Sequence, residues 1–259
     1  MLNKIHKGIH ENINKYCQLK HNWDFDKDNP HLRLHEPTFG ADEINAAVDV
    51  LLSTKVTMGS KVKAFEGEFS KKYNFKNGVM NNSGSSSNLL AIAALCNSDS
   101  EKKLKPGDEV IVPALAWSTT IWPLIQYGLI PVIVDIDKNS FNINPNEIIK
   151  AISPRTKAIM PIHVYGNPCE MDLLIDICKS NNLILIEDCC EALGAFFNNK
   201  EVGSFGEIST FSFYFSHHMT TIEGGICVTS NNELAEKMRI LRAHGWVREV
   251  DNPSIYTEK

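Results

Sequence analysis

The run L183-I-L-I-E-D188 decides the fold. Four apolar side chains followed by two carboxylates are too few for a helix. They are also too uniformly apolar for a strand with one wet face. Such a segment is a strand buried on both sides, as in a parallel sheet covered by helices. The runs VIV at 110–112 and PVIVDI at 131–136 repeat the pattern. Working outward, strands are expected at 78–81, 109–113, 131–135, 158–162, 183–187, 210–214 and 225–229. Helices are expected at 42–52, 61–73, 86–95, 118–127, 146–151, 171–180 and 233–244. This alternation implies a three-layer α/β/α domain with a mostly parallel sheet.

Residues 1–36 are polar, with weak helical periodicity at Ile5, Ile9, Ile13 and Tyr16, and read as an N-terminal arm. Residues 37–244 form the large domain. Residues 245–259, G-W-V-R-E-V-D-N-P-S-I-Y-T-E-K, are polar and read as the start of an interrupted C-terminal region. No internal repeat or low-complexity linker divides the chain.

The composition is that of an ordinary globular protein: 259 residues, 43% hydrophobic, 22% charged, net charge −5. The acidic balance speaks against a nucleic-acid binder. No apolar run approaches the ~20 residues of a membrane span, and the N-terminus lacks a signal-peptide core. Seven cysteines without C-x-x-C spacing fit reduced thiols and a cytoplasmic location.

Ligands of open α/β sheets sit beyond the C-terminal strand ends, and four segments with chemistry converge there. N82-S-G-S-S-S-N88 puts small residues at a helix start, which suits either a phosphate or a plain cap. Trp117, in A114-L-A-W-S-T-T120, could stack on a flat heterocycle or belong to the rim. Glu187 and Asp188 end an apolar strand and need a cationic or hydrogen-bonding partner, such as a protonated pyridine nitrogen or a helix start. The last segment, T210-F-S-F-Y-F-S-H-H-M-T-T-I-E-G-G225, carries Ser212, His217 and His218. No acid or cysteine stands at metal-ligand spacing from that pair, so no metal is expected.

These segments, in this order, resemble the DegT/DnrJ/EryC1/StrS family of sugar aminotransferases and dehydratases, fold-type-I pyridoxal phosphate (PLP) enzymes. The resemblance runs from about Pro37 to Arg248 and includes L104-K-P-G-D-E-V-I-V-P-A114, G128-L-I-P-V-I-V-D-I-D137 and the I-E-D…L-G-A motif. It implies the large domain of an aspartate aminotransferase-like fold, with the small C-terminal domain apparently missing. The family's S-F-x-F-x-x-K-x-x-T-x-x-E-G-G places its cofactor-binding lysine where His217 stands. Histidine cannot form that covalent link. A non-covalent pyridoxamine 5'-phosphate (PMP) form is therefore implied, as in the family's 3-dehydratases.

One dehydratase branch carries a [2Fe–2S] cluster. Cys190 matches its first ligand, but Arg248, Val250 and Glu258 fill the other three positions, and the cluster needs four ligands. The resemblance is therefore to the glutamate-dependent colitose-pathway branch, which removes the C3 hydroxyl of a nucleotide-linked 4-keto-6-deoxy sugar in O-antigen biosynthesis.

Carried over by motif, Ser85, Ser86 and Ser212 hold the phosphate, Trp117 stacks on the pyridine, and Asp188 pairs with its nitrogen beside Glu191. His217 moves the proton. His244 contacts L-glutamate, Arg248 contacts the nucleotide sugar, and Lys55, Val56, Thr57 and Met58 line the substrate pocket. A homodimer is implied. A sugar aminotransferase, or an inactive fragment acting as an interaction partner, are the alternatives.

Overall fold

The computed structural model describes residues 1–21, 25–31, 39–57, 59–247, 250 and 253–256. They form two compact units, 1–63 and 64–259.

In the first unit, α1 (Leu2–Lys20) packs on α2 (Ala41–Leu52). Cys17 is buried, and Ile9 and Ile13 on the same stripe are half-buried. The start of α2 is held by Glu43, whose carboxylate accepts from the Gly40 amide at 2.6 Å. The helix α3 (Ser60–Lys72) crosses from one unit into the other along the chain.

The second unit is built on seven strands: β1 (Asn77–Asn81), β2 (Glu109–Pro113), β3 (Ile130–Val134), β4 (Thr156–Ile159), β5 (Ile184–Asp188), β8 (Ile208–Ser212) and β9 (Gly225–Thr229). Their order is β1-β9-β8-β5-β4-β2-β3. Only β9 runs against the rest, so the sheet is mostly parallel, as the apolar runs implied.

Side-chain alternation on β5 creates the two outer layers. Ile184 and Ile186 pack with α4 (Gly84–Cys96), α5 (Ser118–Gln126) and α8 (Asn232–Arg242), through Leu90, Ala94, Leu124, Leu234 and Met238. Leu183 and Leu185 pack on the opposite face with α6 (Pro145–Ala151) and α7 (Met171–Asn181), through Ile148, Met171, Leu174 and Ile177. Each such fully buried side chain contributes roughly 1.5–3 kcal/mol by leaving water. A third cluster sets Phe69 of α3 against Phe211 and Phe213.

Three small elements were not expected, one of them a 3-10 turn at Val164–Gly166. A hairpin joins β6 (Phe196–Phe197) to β7 (Lys200–Glu201), with Asn198 and Asn199 at φ 47° and 61° in its turn. Another 3-10 turn spans Pro253–Tyr256, in the stretch read as the start of an interrupted C-terminal region. Among the described residues, no helix is long and apolar enough to cross a membrane.

Candidate active site

The C-terminal ends of β1, β2, β5 and β8 open on one edge of the sheet, and the serine-rich turn lies against them. Ser83 caps α4 by accepting from the Ser86 amide at 3.1 Å. Other first-turn amides of a helix have no intrahelical acceptor. A Cβ on Gly84 would stand 2.5 Å from Cβ of Ser212 and 3.0 Å from Sγ of Cys190. One on Gly225 would stand 2.3 Å from the Ser83 carbonyl oxygen. Glycine at both positions lets the start of α4 sit on the ends of β8 and β9. Ser212 is thereby brought to the turn, while the exposed Ser85 hydroxyl lies 3.1 Å from that of Thr119.

Asp188 is buried at the end of β5, on the α4 side. Its Oδ2 accepts from Asn88 Nδ2 at 2.9 Å and Thr120 Oγ1 at 2.8 Å, and its Oδ1 accepts from the Cys190 amide at 3.2 Å. Thr210 Oγ1 donates to Asn88 Oδ1 at 2.7 Å, which orients the amide. All three donors to Asp188 are neutral. Trp117 precedes α5 and is 74% exposed, so its ring is available to cover a ligand.

Glu187 faces the other way and is fully buried. Its Oε1 accepts from the amides of Phe205 (2.8 Å) and Gly206 (2.6 Å) and from Ser209 Oγ (3.1 Å). Its Oε2 accepts from the Gly203 amide at 2.9 Å and lies 3.4 Å from His163 Nε2. Burial alone would raise its pKa, but the His163 ring and the Gly203 and Gly206 amides hold it below the ordinary carboxylate value. His163 Nδ1 accepts from the Cys169 amide at 3.0 Å, so its ring proton sits on Nε2, toward Glu187. Of the two acids singled out by sequence, Glu187 thus organises the scaffold and Asp188 faces the strand-end cluster.

His217 lies in the turn after β8, its amide donating to the Tyr214 carbonyl at 3.0 Å. It is half-buried, whereas His218 is exposed. Burial lowers the His217 pKa below 6.5; Glu191 and Asp188 oppose this and His218 reinforces it. The imidazole is therefore neutral near pH 7 and able to accept a proton. Glu191 is held in place by the Tyr165 amide, which donates to its Oε2 at 2.8 Å. Cys190 sits under the serine turn, its thiol pushed well above the ordinary value by burial and the Asp188 charge. It is a neutral packing group there.

Lys55, Val56 and Thr57 occupy an exposed stretch after α2, in the first unit. His244 follows α8, exposed at φ 62°, with its ring edge-on to Trp246. No hydrogen bond among the described residues ties it to Asp188 or His217. Met58 and Arg248 lie outside the described residues. Asn88, Thr120 and Thr210 carry the Asp188 network and were not picked out from sequence. The available signal was their place inside three of the quoted segments, 82–88, 114–120 and 210–225.

A model of the DegT/DnrJ/EryC1/StrS aminotransferase family matches residues 37–258. The GDP-4-keto-6-deoxy-D-mannose 3-dehydratase of Yersinia pseudotuberculosis is 43% identical over 217 residues, 84% of this chain and 55% of that protein. The protein of the same name from Escherichia coli O55:H7 is 46% identical over 208 residues, covering 80% and 53%. A solved GDP-4-keto-6-deoxymannose-3-dehydratase, holding a trapped PLP–glutamate geminal diamine, superposes with a TM-score of 0.80 at 41% identity. That match covers 88% of this chain and 62% of the other. The α/β fold with its mostly parallel sheet is shared with these proteins. The chain spans about half the length of the curated relatives it matches.

Proposed function

Because the chain belongs to the DegT/DnrJ/EryC1/StrS aminotransferase family, we propose that its strand-end cluster holds PLP and PMP and serves nucleotide-sugar 3-dehydration. The substrate would be a nucleotide-linked 4-keto-6-deoxyhexose, with L-glutamate as amino donor, in the deoxysugar branch of lipopolysaccharide biosynthesis. The observation that carries this reading is a half-buried His217 in the turn directly after β8, whose last residue, Ser212, abuts the serine turn at Gly84.

The residues present fit the cofactor. Gly84 and Gly225 admit the α4 N-terminus where a Cβ would block it, giving the Ser85 amide and the hydroxyls of Ser85, Ser86 and Ser212 for a phosphate. The Asp188 carboxylate has only neutral donors and suits a pyridinium proton. When bound, the cofactor supplies an amine for a ketone and a ring that draws off electrons.

Each residue then has a task. Trp117 covers one ring face. Asp188, fixed by Asn88 and Thr120, keeps the ring nitrogen protonated. Glu191 holds the Tyr165 backbone at the rim. His217 would accept a proton and return it, as an imidazole does near neutral pH. His244 would contact glutamate, Arg248 the sugar nucleotide, and Lys55–Met58 the substrate pocket. Residues 37–244 would serve as the large domain, after an arm at 1–36 and before a C-terminal region from 245. A homodimer belongs to this reading by family resemblance, and a cytoplasmic location by the seven unpaired thiols.

The test is PLP titration of the full chain, followed by L-glutamate. The aldehyde band should give way to the amine band with release of 2-oxoglutarate. Borohydride should leave the wild type unlabelled and label His217→Lys covalently. Failure to bind PLP, or borohydride labelling of the wild type, would overturn the proposal.

A further inference from the structure

Outside the strand-end cluster, three ligand-type side chains converge within the first unit. His6 and His10 lie one turn apart on α1, which puts them on the same face. Their rings stand 4.5 Å apart at 46°. Both Nε2 atoms reach a single oxygen of Asp49 on α2, Oδ1, at 2.7 and 2.8 Å. Both rings aim at one carboxylate oxygen, so the three groups converge on a point. The register is fixed one turn after His10 on α1 and one turn before Asp49 on α2, where Asn45 Nδ2 donates to Asn14 Oδ1 at 2.8 Å.

We propose that His6, His10 and Asp49 form a binding site for a zinc-class divalent transition-metal ion. This inference does not depend on the cofactor reading. Two imidazoles and one carboxylate suit zinc, nickel or copper rather than magnesium or calcium. Three protein ligands leave a fourth position for water. The His6 and Asp49 side chains are 48% and 43% exposed, and His10 is 27% exposed, so an ion and its water can enter.

Zinc–nitrogen and zinc–oxygen bonds of ~2.0–2.1 Å set ligand atoms roughly 3.3 Å apart in a tetrahedron. The present spacings need to open by about half an ångström, which rotation of exposed side chains provides. Coordination through Nε2 leaves the ring proton of a neutral imidazole on Nδ1. A bound ion would clamp α1 onto α2.

The second candidate group, His163, Glu187 and Cys189, is fully buried. The Glu187 oxygens there are engaged by amides and a hydroxyl. The Cys189 thiol is pushed well above its ordinary pKa by burial and the Glu187 charge.

The experiment is zinc titration of the chelator-stripped full chain against a chromophoric indicator, with zinc K-edge absorption on the loaded protein. The wild type should take up one ion at least tenfold more tightly than His10→Ala, His6→Ala or Asp49→Asn. The edge should show nitrogen and oxygen at ~2.0–2.1 Å without sulfur at ~2.3 Å. Asp49→Asn preserves side-chain shape and reads ligand loss even if the histidine variants loosen α1. Equal affinity in the variants, a sulfur shell, or no uptake would each overturn the site.

Discussion

Glu187 and Asp188 are neighbours on β5 whose side chains leave opposite faces of the sheet. Behind the sheet, Glu187 is saturated: three amides and a hydroxyl donate to it, and the His163 ring faces it. In front, Asp188 accepts two bonds on Oδ2 and one on Oδ1, leaving capacity for another donor. Adjacent acids of similar burial therefore do different work. A fully engaged carboxylate fixes a loop, whereas one with spare acceptor capacity faces the pocket. The contrast predicts that damage behind the sheet is read as lost stability and damage in front as lost binding.

The largest expected effect is Glu187→Gln. The amide cannot accept at both ends, so buried donors of the 203–209 segment lose their acceptor. A loss of about 3–5 kcal/mol is expected, as for breaking a buried charged cluster. Urea denaturation checks it, and Asp188→Asn should lose less than half as much. The pH dependence follows from the depressed pKa of Glu187. Its contribution is complete above the ordinary value of 4.5 and disappears as pH falls through the lower folded value. Acid titration of stability should therefore be shallower in Glu187→Gln than in the wild type.

The converse is Asp188→Asn, which keeps an acceptor for Asn88 and Thr120 but removes the charge facing the pocket. PLP affinity should fall at least tenfold, about 1.4 kcal/mol, by absorbance titration. If both variants lose stability equally and PLP binds Asp188→Asn normally, the division between the two faces is wrong.

This division was only half legible in the sequence. The run from Leu183 to Asp188 shows a doubly buried strand ending in acids, and alternation assigns each residue a face. Strands at 109–113 and 225–229 were read where they lie, because each is a short apolar run between turn residues. Which partners a face meets is another matter. Asn88 is 100 residues from Asp188 and Thr120 is 68 away. No local period links them. The Glu187 amides come from a loop after a hairpin whose turn relies on two asparagines in the left-handed region, which no apolar alternation marks. His6 and His10 show their helical spacing, but Asp49 stands 39 residues beyond His10. A site shared between elements becomes visible only once they are packed.

A smaller change sharpens the front face. Thr120→Val removes one of the two donors to Asp188 Oδ2 while keeping side-chain volume. The loss should be about 1–2 kcal/mol in stability, the usual consequence of leaving a buried acceptor short of one bond. PLP affinity should fall with it, because Asp188 is less firmly aimed. A thermal melt and a PLP titration on the same variant measure both, and a change in stability alone would make Thr120 a packing residue.

Trp117→Ala should have the smallest effect on the fold and thus separates the two kinds of damage most cleanly. The side chain is 74% exposed and makes no capping bond to α5. Its removal uncovers almost nothing, so stability should stay within about 0.5 kcal/mol of the wild type. A ring that covers a bound heterocycle contributes ~0.5–1.5 kcal/mol beyond its buried area, so PLP affinity should fall several-fold. Unchanged affinity would place Trp117 on the rim rather than over the cofactor. A large loss of stability would mean that the front face also carries the fold.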